Sequence, residues 1–565
     1  MSMGDPPATS EGESGSRPSP GRAEQAPRPW WKGAILYHVY VRSFFDSDGD
    51  GHGDLPGVMA KLDYIRSLGV DGIWLSPIHP SPNRDWGYDI ADFEGVQADY
   101  GTPEDVRRLL DAAHARGLKV VLDEVLSHTS DEHPWFVESL TGGKDGPKAD
   151  WYVWADPKDD GTAPNNWLSV FGGPAWAYQP ARRQHYHHKF LRQQPKLNWR
   201  SDAAREAALS VLDFWLEKGV DGFRLDVAGT YLHDAALTDN PPVPMAERRA
   251  YDWSHAGNLQ RHLHDSNLPE NVRVLELIRR RVEAHGDRFV FGEFSEEEER
   301  CGAYLSPDEG LHSAYTFVLL LAKTLTAAFV REHYATLAAY PVHWPTISFS
   351  NHDVPRTVSR FGGEDASPDL AQQLFALLLS LKGTTLIYQG EELGLPQARL
   401  TRDQLRDPVG DLYWPYSGGR DGCRTPMPWR PGEALGFTTG TPWLPAAAEH
   451  AGLTVAAQEA DPESTLAFAR QMIAFRKGSA AMTAGELEFL DLEEPVLAFV
   501  RREGEEAIAC VFNLSGEPRF LDEPRFAGAE LLAVRAGDAD LRGGSIGLSA
   551  RAAVFLKLAP PAGAE

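Results

Sequence analysis

The chain has 565 residues, and its formal net charge of -26 at pH 7 argues against nucleic acid and anionic membrane surfaces as partners. Its three cysteines are too few and too scattered for a disulfide framework or a cysteine-based metal cluster, and they indicate a reducing compartment. Because single cores stop growing at about 250 to 300 residues, we expect more than one domain.

Residues 1–30 are rich in Ser, Gly, Pro, Glu and Arg, and they lack the apolar core of a secretory signal. Such a segment cannot bury enough apolar surface to fold, so it is predicted to be a disordered tail. No apolar run approaches the roughly 20 residues that a membrane span requires. We therefore expect a cytoplasmic protein, with export by another route as the alternative.

Strand one is predicted over residues 34–41, and an acidic loop, DSDGDGHGDL at 46–55, follows it directly. The alternating carboxylates are spaced to place oxygen ligands around a hard cation, as in calcium-binding loops. The loop is not an EF-hand, because a strand precedes it and Gly57 stands where the bidentate Glu belongs. The expected ion is Ca²⁺, with Mg²⁺ or an unfilled acidic turn as alternatives.

The segments that follow alternate between helix and strand patterns, with helices over 55–68 and 103–116 and strands over 70–77 and 118–125. This alternation predicts a parallel sheet. The loop DWGYD at 85–89 contains Tyr88, which either belongs to the core or offers an amphipathic ring to a ligand. After His128 no clear period returns until about residue 203, and a gap of that length predicts a small inserted domain over residues 129–202.

The strand GFRLDV at 222–227 follows a predicted helix over 203–217 and places two charges in an otherwise apolar run. Buried charges are costly unless they are paired, so Arg224 and Asp226 form either a structural ion pair or part of a functional site. Three other apolar runs end in acids or histidines, at 119–128, 289–294 and 346–353. In a parallel barrel the carboxyl ends of the strands share one face, where active sites are built from several strands. The expected members of one pocket are Asp226, Glu293, Asp353, His128, His352 and Arg224.

The rest of the barrel is predicted to contain a second irregular excursion over 228–269. Further helices are predicted over 270–285, 370–381 and 466–477, and strands over 314–321, 346–349 and 384–390. A Pro/Gly-rich insertion over 396–463 contains Arg424, and the β-like segments after it predict an antiparallel β-sandwich. The predicted domains are the tail 1–30, a barrel formed by 31–128 and 203–478, the inserted domain 129–202 and the sandwich 479–565.

The four segments that end in acids or histidines resemble, in order, the four signature regions of the α-amylase superfamily of glycoside hydrolases and transglycosylases. Three further motifs are similar to those of its oligo-1,6-glucosidase and α-glucosidase branch: the acidic loop at 46–55, QPKLN at 194–198 and RTPMPW at 424–429. The resemblance extends from about residue 31 to the C-terminus. It implies a (β/α)8 TIM barrel of the α/β class, with a small domain inserted after strand three and a C-terminal β-sandwich.

Hydrolysis of a glucoside needs one carboxylate that attacks or stabilises the anomeric carbon and one carboxylic acid that protonates the leaving oxygen. We assign these roles to Asp226 and Glu293. Their neighbouring strand ends should lie about 4.8 Å apart, close to the roughly 5 to 5.5 Å that separates the carboxyl groups of retaining enzymes. Arg224 should hold Asp226 in its ionised form, and Asp353 should bind sugar hydroxyls and favour ring distortion.

The resemblance implies further site residues. Tyr88 should stack under the glucose ring, while Asp85 and Arg424 should pair and jointly grip the outer hydroxyls of the terminal glucose. His128 and His352 should donate hydrogen bonds to other hydroxyls. The implied metal ligands are Asp46, Asp48, Asp50, the His52 carbonyl and Asp54.

The leading hypothesis is a retaining, exo-acting α-glucosidase for short oligosaccharides or small α-glucosides, with some transfer of glucosyl groups to acceptors other than water. Within the same fold, the alternatives are an isomerase that makes trehalose or isomaltulose and an endo-amylase. A different class is a catalytically inactive barrel that serves as a sugar-binding or transport-accessory protein, and the complete set of three carboxylates argues against it. We expect a monomer or a homodimer.

Overall fold

The computed structural model of the chain describes residues 28–245, 256–294, 304, 310–338, 344–363 and 366–559. The tail predicted over 1–30 therefore lies mostly outside the described residues. Among the helices of these ranges, none combines the length and the apolar character that a membrane span requires.

Eight parallel strands form a nearly closed barrel, which confirms the predicted fold class. The strands described before the C-terminal region are β1 Ile35–Val39, β2 Gly72–Leu75, β3 Lys119–Glu124, β4 Trp154–Ala155, β5 Trp176–Gln179, β6 Gln184–His187, β7 Gly222–Leu225, β8 Phe289–Phe294, β9 Ser313–Thr316, β10 Thr346–Ile347 and β11 Thr384–Tyr388. The barrel order is β10-β11-β1-β2-β3-β7-β8-β9. At the seam between β9 and β10, Ser313 Oγ lies 2.7 Å from Thr346 Oγ1 and donates to the Trp344 carbonyl at 2.6 Å.

The barrel strands are buried on both faces, as strands enclosed by helices must be. Every residue of β1, β7, β8 and β11 is buried. Aromatic and aliphatic side chains from several strands, including Trp74, Phe289 and Phe291, pack together as one cluster. Gly222 sits opposite Phe289 in the register, and a Cβ there would lie 2.0 Å from the Phe289 carbonyl oxygen. Only glycine therefore allows β7 to approach β8 this closely.

Helices surround the barrel, and most of the long ones begin at a capping side chain. The described α-helices are Leu55–Ala60, Leu62–Leu68, Pro103–Ala115, Pro134–Gly142, Asp202–Glu217, Asn271–Glu283, Phe317–Leu321, Ala327–Ala338, Thr357–Gly362, Pro368–Ser380, Pro408–Tyr413, Asp421–Arg424, Val455–Glu459, Thr465–Gly478 and Ala480–Ala484. Thr102 and Asp105 form a capping box, and Ser201, Ser367 and Ser464 accept from the first-turn amides of their helices.

Two predicted elements differ in the structure. The helix predicted over 55–68 is interrupted at Lys61, whose N–H bonds back to the carbonyls of Val58 and Met59 instead of continuing the helical ladder. The strand predicted over 314–321 ends at Thr316, because its pairing with β8 ends there. The apolar run continues as the helix Phe317–Leu321, in which Leu319 and Leu320 are buried. A short apolar run does not by itself distinguish a helix from a strand, which is why the predicted strand is too long.

The segment predicted as an inserted domain contains the helix Pro134–Gly142 and a three-stranded antiparallel sheet in the order β4-β6-β5. A small core of Val153, Trp167, Ala175 and Trp176 lies within it. The excursion after β7, of which residues 246–255 are outside the described ranges, packs against it. Trp167 Nε1 donates to the Thr238 carbonyl at 2.9 Å. The two excursions are therefore in direct contact.

The C-terminal region consists of two antiparallel sheets. Its strands are β12 Glu486–Leu490, β13 Val496–Glu503, β14 Glu506–Asn513, β15 Arg519–Asp522, β16 Glu530–Leu531, β17 Ala539–Arg542, β18 Ser545–Leu548 and β19 Ala553–Lys557. The sheet orders are β12-β13-β14-β19-β16 and β15-β18-β17. Gln373 Nε2, from a barrel helix, donates to the Asn513 carbonyl at 2.6 Å and so ties this region to the barrel.

Candidate active site

A single buried guanidinium joins three strands at the carboxyl end of the barrel. Arg224 Nη1, on β7, donates to Asp123 Oδ1 of β3 at 2.7 Å and to Asp226 Oδ1 at 2.8 Å. Its Nη2 pairs with Glu293 Oε1 of β8. The register places Asp123 opposite Arg224, so the contact follows directly from strand pairing. The predicted cluster of Arg224, Asp226 and Glu293 is assembled, and Asp123 is a further member.

One cation faces three buried carboxyl groups, and burial shifts the titration of two of them, Asp123 and Asp226. Burial raises the pKa of Asp123 to about 7, although Arg224 opposes the shift. Burial also raises the pKa of Asp226 well above its usual value; Arg224 opposes this, and the nearby Glu293 adds to it. Asp123 and Asp226 therefore retain protons at pH values at which exposed aspartates have lost theirs.

Glu293 is oriented by donors on both of its oxygens. The Tyr315 hydroxyl donates to Oε1 at 2.7 Å, and the Val227 N–H donates to Oε2 at 3.4 Å. Arg224 Nε in turn lies 3.3 Å from the Tyr315 hydroxyl. Tyr315 was not predicted as a site residue. It lies opposite Glu293 in the pairing of β8 with β9.

Asp353 lies against two arginines. Its Oδ1 accepts from Arg424 Nη2 at 2.8 Å and from Arg420 Nη1 at 3.2 Å, and its Oδ2 is 3.3 Å from His352 Nε2. Burial alone would raise the pKa of Asp353, but Arg420 and Arg424 hold it below its usual value. The two arginines therefore favour the ionised form of Asp353.

The predicted pairing of Asp85 with Arg424 is wrong. Arg424 Nε donates to the His352 carbonyl at 2.7 Å, which fixes this side chain beside Asp353. Asp85 pairs instead with Arg420, whose Nη2 is 2.6 Å from Asp85 Oδ1 and 2.7 Å from Asp407 Oδ1. Arg420 and Asp407 were not predicted as site residues. Nothing local in the sequence distinguishes Arg420 from Arg424, four residues later, as the partner of Asp85.

Tyr88, His128 and His352 also line the same site. The Tyr88 ring stacks on the His352 ring with centroids 5.2 Å apart and planes 6° apart, and its hydroxyl donates to Asp123 Oδ2 at 2.9 Å. His128 Nε2 lies 2.9 Å from the Tyr88 carbonyl, and burial lowers the pKa of His128 to about 3. Gln194, from the QPKLN motif, donates to Asp85 Oδ2 at 3.0 Å. The segment predicted as an inserted domain thus contributes Gln194 to the site.

The acidic loop after β1 brings three of its five predicted ligands together. Oxygen atoms of Asp46, Asp48 and Asp50 lie within 4.8 Å of one another. Asp54 instead caps the helix Leu55–Ala60, where its Oδ1 accepts from the Gly57 N–H at 2.5 Å. His52 places its ring Nδ1 at 2.7 Å from Arg42 Nη1. Carboxylate and carbonyl oxygens are the donors that Ca²⁺ and Mg²⁺ prefer.

A family model described as "Alpha amylase, catalytic domain" matches residues 38–485. A "Probable alpha-glucosidase" of Rhizobium meliloti is 46% identical over 498 residues, which cover 87% of this chain and 90% of that protein. An "Oligo-1,6-glucosidase" of Heyndrickxia coagulans is 36% identical over 538 residues, which cover 88% and 94% of the two chains. The crystal structure of the alpha-glucosyl transfer enzyme XgtA matches with a TM-score of 0.91 and 44% identity, covering 94% of this chain and all of the other (100%).

Replacing Arg420 should destabilise the fold in a pH-dependent way. Arg420→Met leaves Asp85 and Asp407 buried without their cation, which should lower the free energy of unfolding by about 3 to 5 kcal/mol at pH 7. Burial would raise the pKa of Asp407, but Arg420 holds it below its usual value. This stability is present above the pKa of an unfolded aspartate, about 3.9, and is lost as the pH falls through the folded value.

Urea unfolding of the wild type and of Arg420→Met should therefore show a difference that persists from pH 7 to about pH 4 and shrinks as the pH falls below about 4. Arg406→Met, which changes an exposed arginine in the same loop, should stay within about 0.5 kcal/mol of the wild type. Equal stability of Arg420→Met and the wild type at pH 7 would contradict the prediction.

Proposed function

This chain belongs to the alpha-amylase family and is a glycoside hydrolase, and from that premise we propose that it is a retaining, exo-acting α-glucosidase that also transfers glucosyl groups. The proposed substrates are short oligosaccharides and small α-glucosides. The observation that carries the proposal is the pair of carboxylates, Asp226 and Glu293, that one guanidinium holds at the ends of adjacent strands.

In the proposed reaction, Asp226 attacks the anomeric carbon and forms a glucosyl ester, while Glu293 gives its proton to the leaving oxygen. Water, deprotonated by Glu293, then attacks the same carbon and releases glucose with Asp226 restored. Arg224 favours the ionised form of Asp226 that the attack requires. Because two inversions occur at one carbon, the product retains the α configuration.

We assign substrate binding to the groups around this pair. Asp353, held by Arg424, would accept hydrogen bonds from sugar hydroxyls, and Tyr88 would stack on the ring. His128 and His352 would contact further hydroxyls. Asp85 is proposed to act with Arg420 instead of with Arg424. Asp85 and Arg420, which also pairs with Asp407, would bind the outer hydroxyls of the terminal glucose.

The same ion pair supports exo-action. A chain that continued past the terminal glucose would have to displace a buried guanidinium from two carboxylates, Asp85 and Asp407, which is costly. A pocket closed at this end admits one glucose unit behind the cleaved bond. Transfer to acceptors other than water would follow whenever a second sugar or alcohol reaches the glucosyl ester first. The similarity to a protein named an alpha-glucosyl transfer enzyme supports this part.

A metal site completes the proposal. Asp46, Asp48, Asp50 and the His52 carbonyl would hold Ca²⁺ or Mg²⁺, with Asp54 able to join them only if its cap at Gly57 loosens. A divalent ion would neutralise the carboxylates that the loop places together. Its role would be to stabilise the loop after β1, because the proposed reaction needs no metal.

A product profile tests the proposed activity. Purified protein should release nitrophenol from p-nitrophenyl α-glucoside and single glucose units from maltose, isomaltose and sucrose, and it should act slowly on starch. Proton NMR should detect α-glucose before β-glucose. Rapid thinning of starch with maltotriose and longer products would indicate an open cleft. Conversion of sucrose to an isomeric disaccharide without glucose would favour an isomerase, and no reaction at all would favour a binding protein.

The two proposed catalytic carboxylates should respond differently to substitution. Asp226→Asn should abolish turnover of every substrate without unfolding the protein. Glu293→Gln should lower kcat on maltose by about 10²- to 10⁴-fold but retain more activity on p-nitrophenyl α-glucoside, whose leaving group needs little protonation. Glu217→Gln, which changes an exposed glutamate at the end of a helix, is the matched control and should leave both rates unchanged. Equal losses on both substrates for Glu293→Gln would refute the assignment.

Removal of the metal should lower stability more than rate. An ion that binds only the folded state at 100 times its Kd adds about 2.7 kcal/mol, so chelation should lower the Tm by several degrees while the initial rate changes little. Asp48→Ala should abolish the response to chelator, whereas Asp63→Ala, an exposed acid outside the loop, should keep it. An immediate loss of rate with an unchanged Tm would argue against a structural ion.

A further inference from the structure

Val227, the residue after Asp226, has a backbone conformation that a valine rarely adopts. Its φ is 41° and its ψ is 47°, in the left-handed region. A β-branched residue there is a backbone outlier, so the surrounding structure must hold it. This conformation directs the Val227 N–H toward Glu293 Oε2, 3.4 Å away.

A short turn fixes Val227 from its C-terminal side. The 3-10 turn Ala228–Thr230 follows at once, and the Thr230 N–H and hydroxyl both donate to the Val227 carbonyl at 2.9 Å. These two bonds orient the carbonyl of Val227. They cannot by themselves fix the position of the turn, because Thr230 moves with it.

The inserted domain provides that anchor. The Lys196 ammonium donates to the Thr230 carbonyl and, at 3.2 Å, to the Tyr231 carbonyl. Trp199 stacks on Tyr231 with ring centroids 4.7 Å apart, and Arg200 Nη2 donates to the His233 carbonyl at 2.6 Å. Of these contacts, the one from Lys196 to the Thr230 carbonyl reaches the residue nearest to Val227 along the chain.

Lys196 is buried, and its environment favours a role through these carbonyls. Among the residues that the structure describes, it forms no ion pair with a carboxylate at contact distance. The charged or titratable groups that influence it are Lys189, Asp265, His128, His187 and His233. Burial lowers the pKa of Lys196 to about 7, with Lys189 acting in the same direction and Asp265 opposing. The two carbonyl oxygens are therefore its principal partners.

We propose that Lys196 is a positioning residue: by holding the carbonyls of Thr230 and Tyr231, it keeps Val227 left-handed and the Val227 N–H directed at Glu293. The inference rests on the proposed role of Glu293 as acid and base. An N–H on Oε2 stabilises the carboxylate that remains after Glu293 has given up its proton. Loss of Lys196 should therefore impair proton transfer more than attack by Asp226.

The test compares leaving groups. Lys196→Met, which keeps the length of the side chain and removes its donors, should lower kcat on methyl α-glucoside about tenfold more than on p-nitrophenyl α-glucoside. The second comparison repeats the measurement in a Val227→Gly background, because glycine adopts the left-handed region without strain and should not need Lys196 to hold it. In the Val227→Gly background, adding Lys196→Met should change the ratio of the two kcat values by less than about threefold, which shows that the two residues act through one another.

Lys189→Met is the matched control. Lys189 is another buried lysine of the inserted domain, and its ammonium pairs with Asp265 at 2.8 Å and not with the turn. This variant should lower the Tm without changing the kcat ratio. If Lys196→Met does not fold, the ratio is measured on Lys196→Gln, which keeps donors on a shorter side chain and should show a smaller shift in the same direction.

An unchanged kcat ratio in a folded Lys196 variant would overturn the inference, and so would an equal effect of Lys196→Met in both backgrounds. These results are separable from failure of the proposed function. If Asp226→Asn retains full activity or Glu293→Gln shows no dependence on the leaving group, the assigned chemistry is wrong whatever Lys196 does.

Discussion

The active end of the barrel depends on one constraint: a single guanidinium must compensate three buried carboxyl groups. Arg224 has no exposure to solvent, and Asp123, Asp226 and Glu293 reach it from three different strands. Breaking such a cluster leaves uncompensated charge in a medium of low dielectric, which costs several kcal/mol. The register of β3, β7 and β8 is therefore fixed by electrostatics as well as by apolar packing. Burial raises the pKa values of Asp123 and Asp226, and Arg224 opposes both shifts.

A second cation organises the far side of the pocket in a similar way. Arg420 contacts Asp85, Asp407 and Asp353, and Arg424 adds a further donor to Asp353. The two groups are joined through Tyr88, which stacks on His352 and donates to Asp123. The pocket is thus a continuous network of paired charges whose members come from segments spread from residue 85 to residue 424. Rigid pairing of this kind pre-orients the donors and acceptors that a polyhydroxylated ligand requires.

The segment predicted as an inserted domain is part of this network. Gln194 and Lys196 belong to the same five-residue motif but contact different places. Gln194 donates to Asp85, while Lys196 donates to the carbonyls of the turn that follows Asp226. The strained backbone at Val227 lies between Asp226 and this turn. One short motif therefore contacts the site on two sides.

Much of this architecture was determined by the sequence itself. Apolar runs that end in acids or histidines identified the strands and placed Arg224, Asp226, Glu293 and Asp353 at one end, because the parallel barrel brings strand termini together. The tertiary structure alone decided which charges meet. Asp85 and Arg420 are 335 positions apart, and no local pattern distinguishes Arg420 from Arg424 as the partner. The same holds for Asp54, which completes a sequence motif for metal ligands but serves as a helix cap. Local periodicity determines where a side chain points along its own element, whereas its partner depends on how distant elements pack.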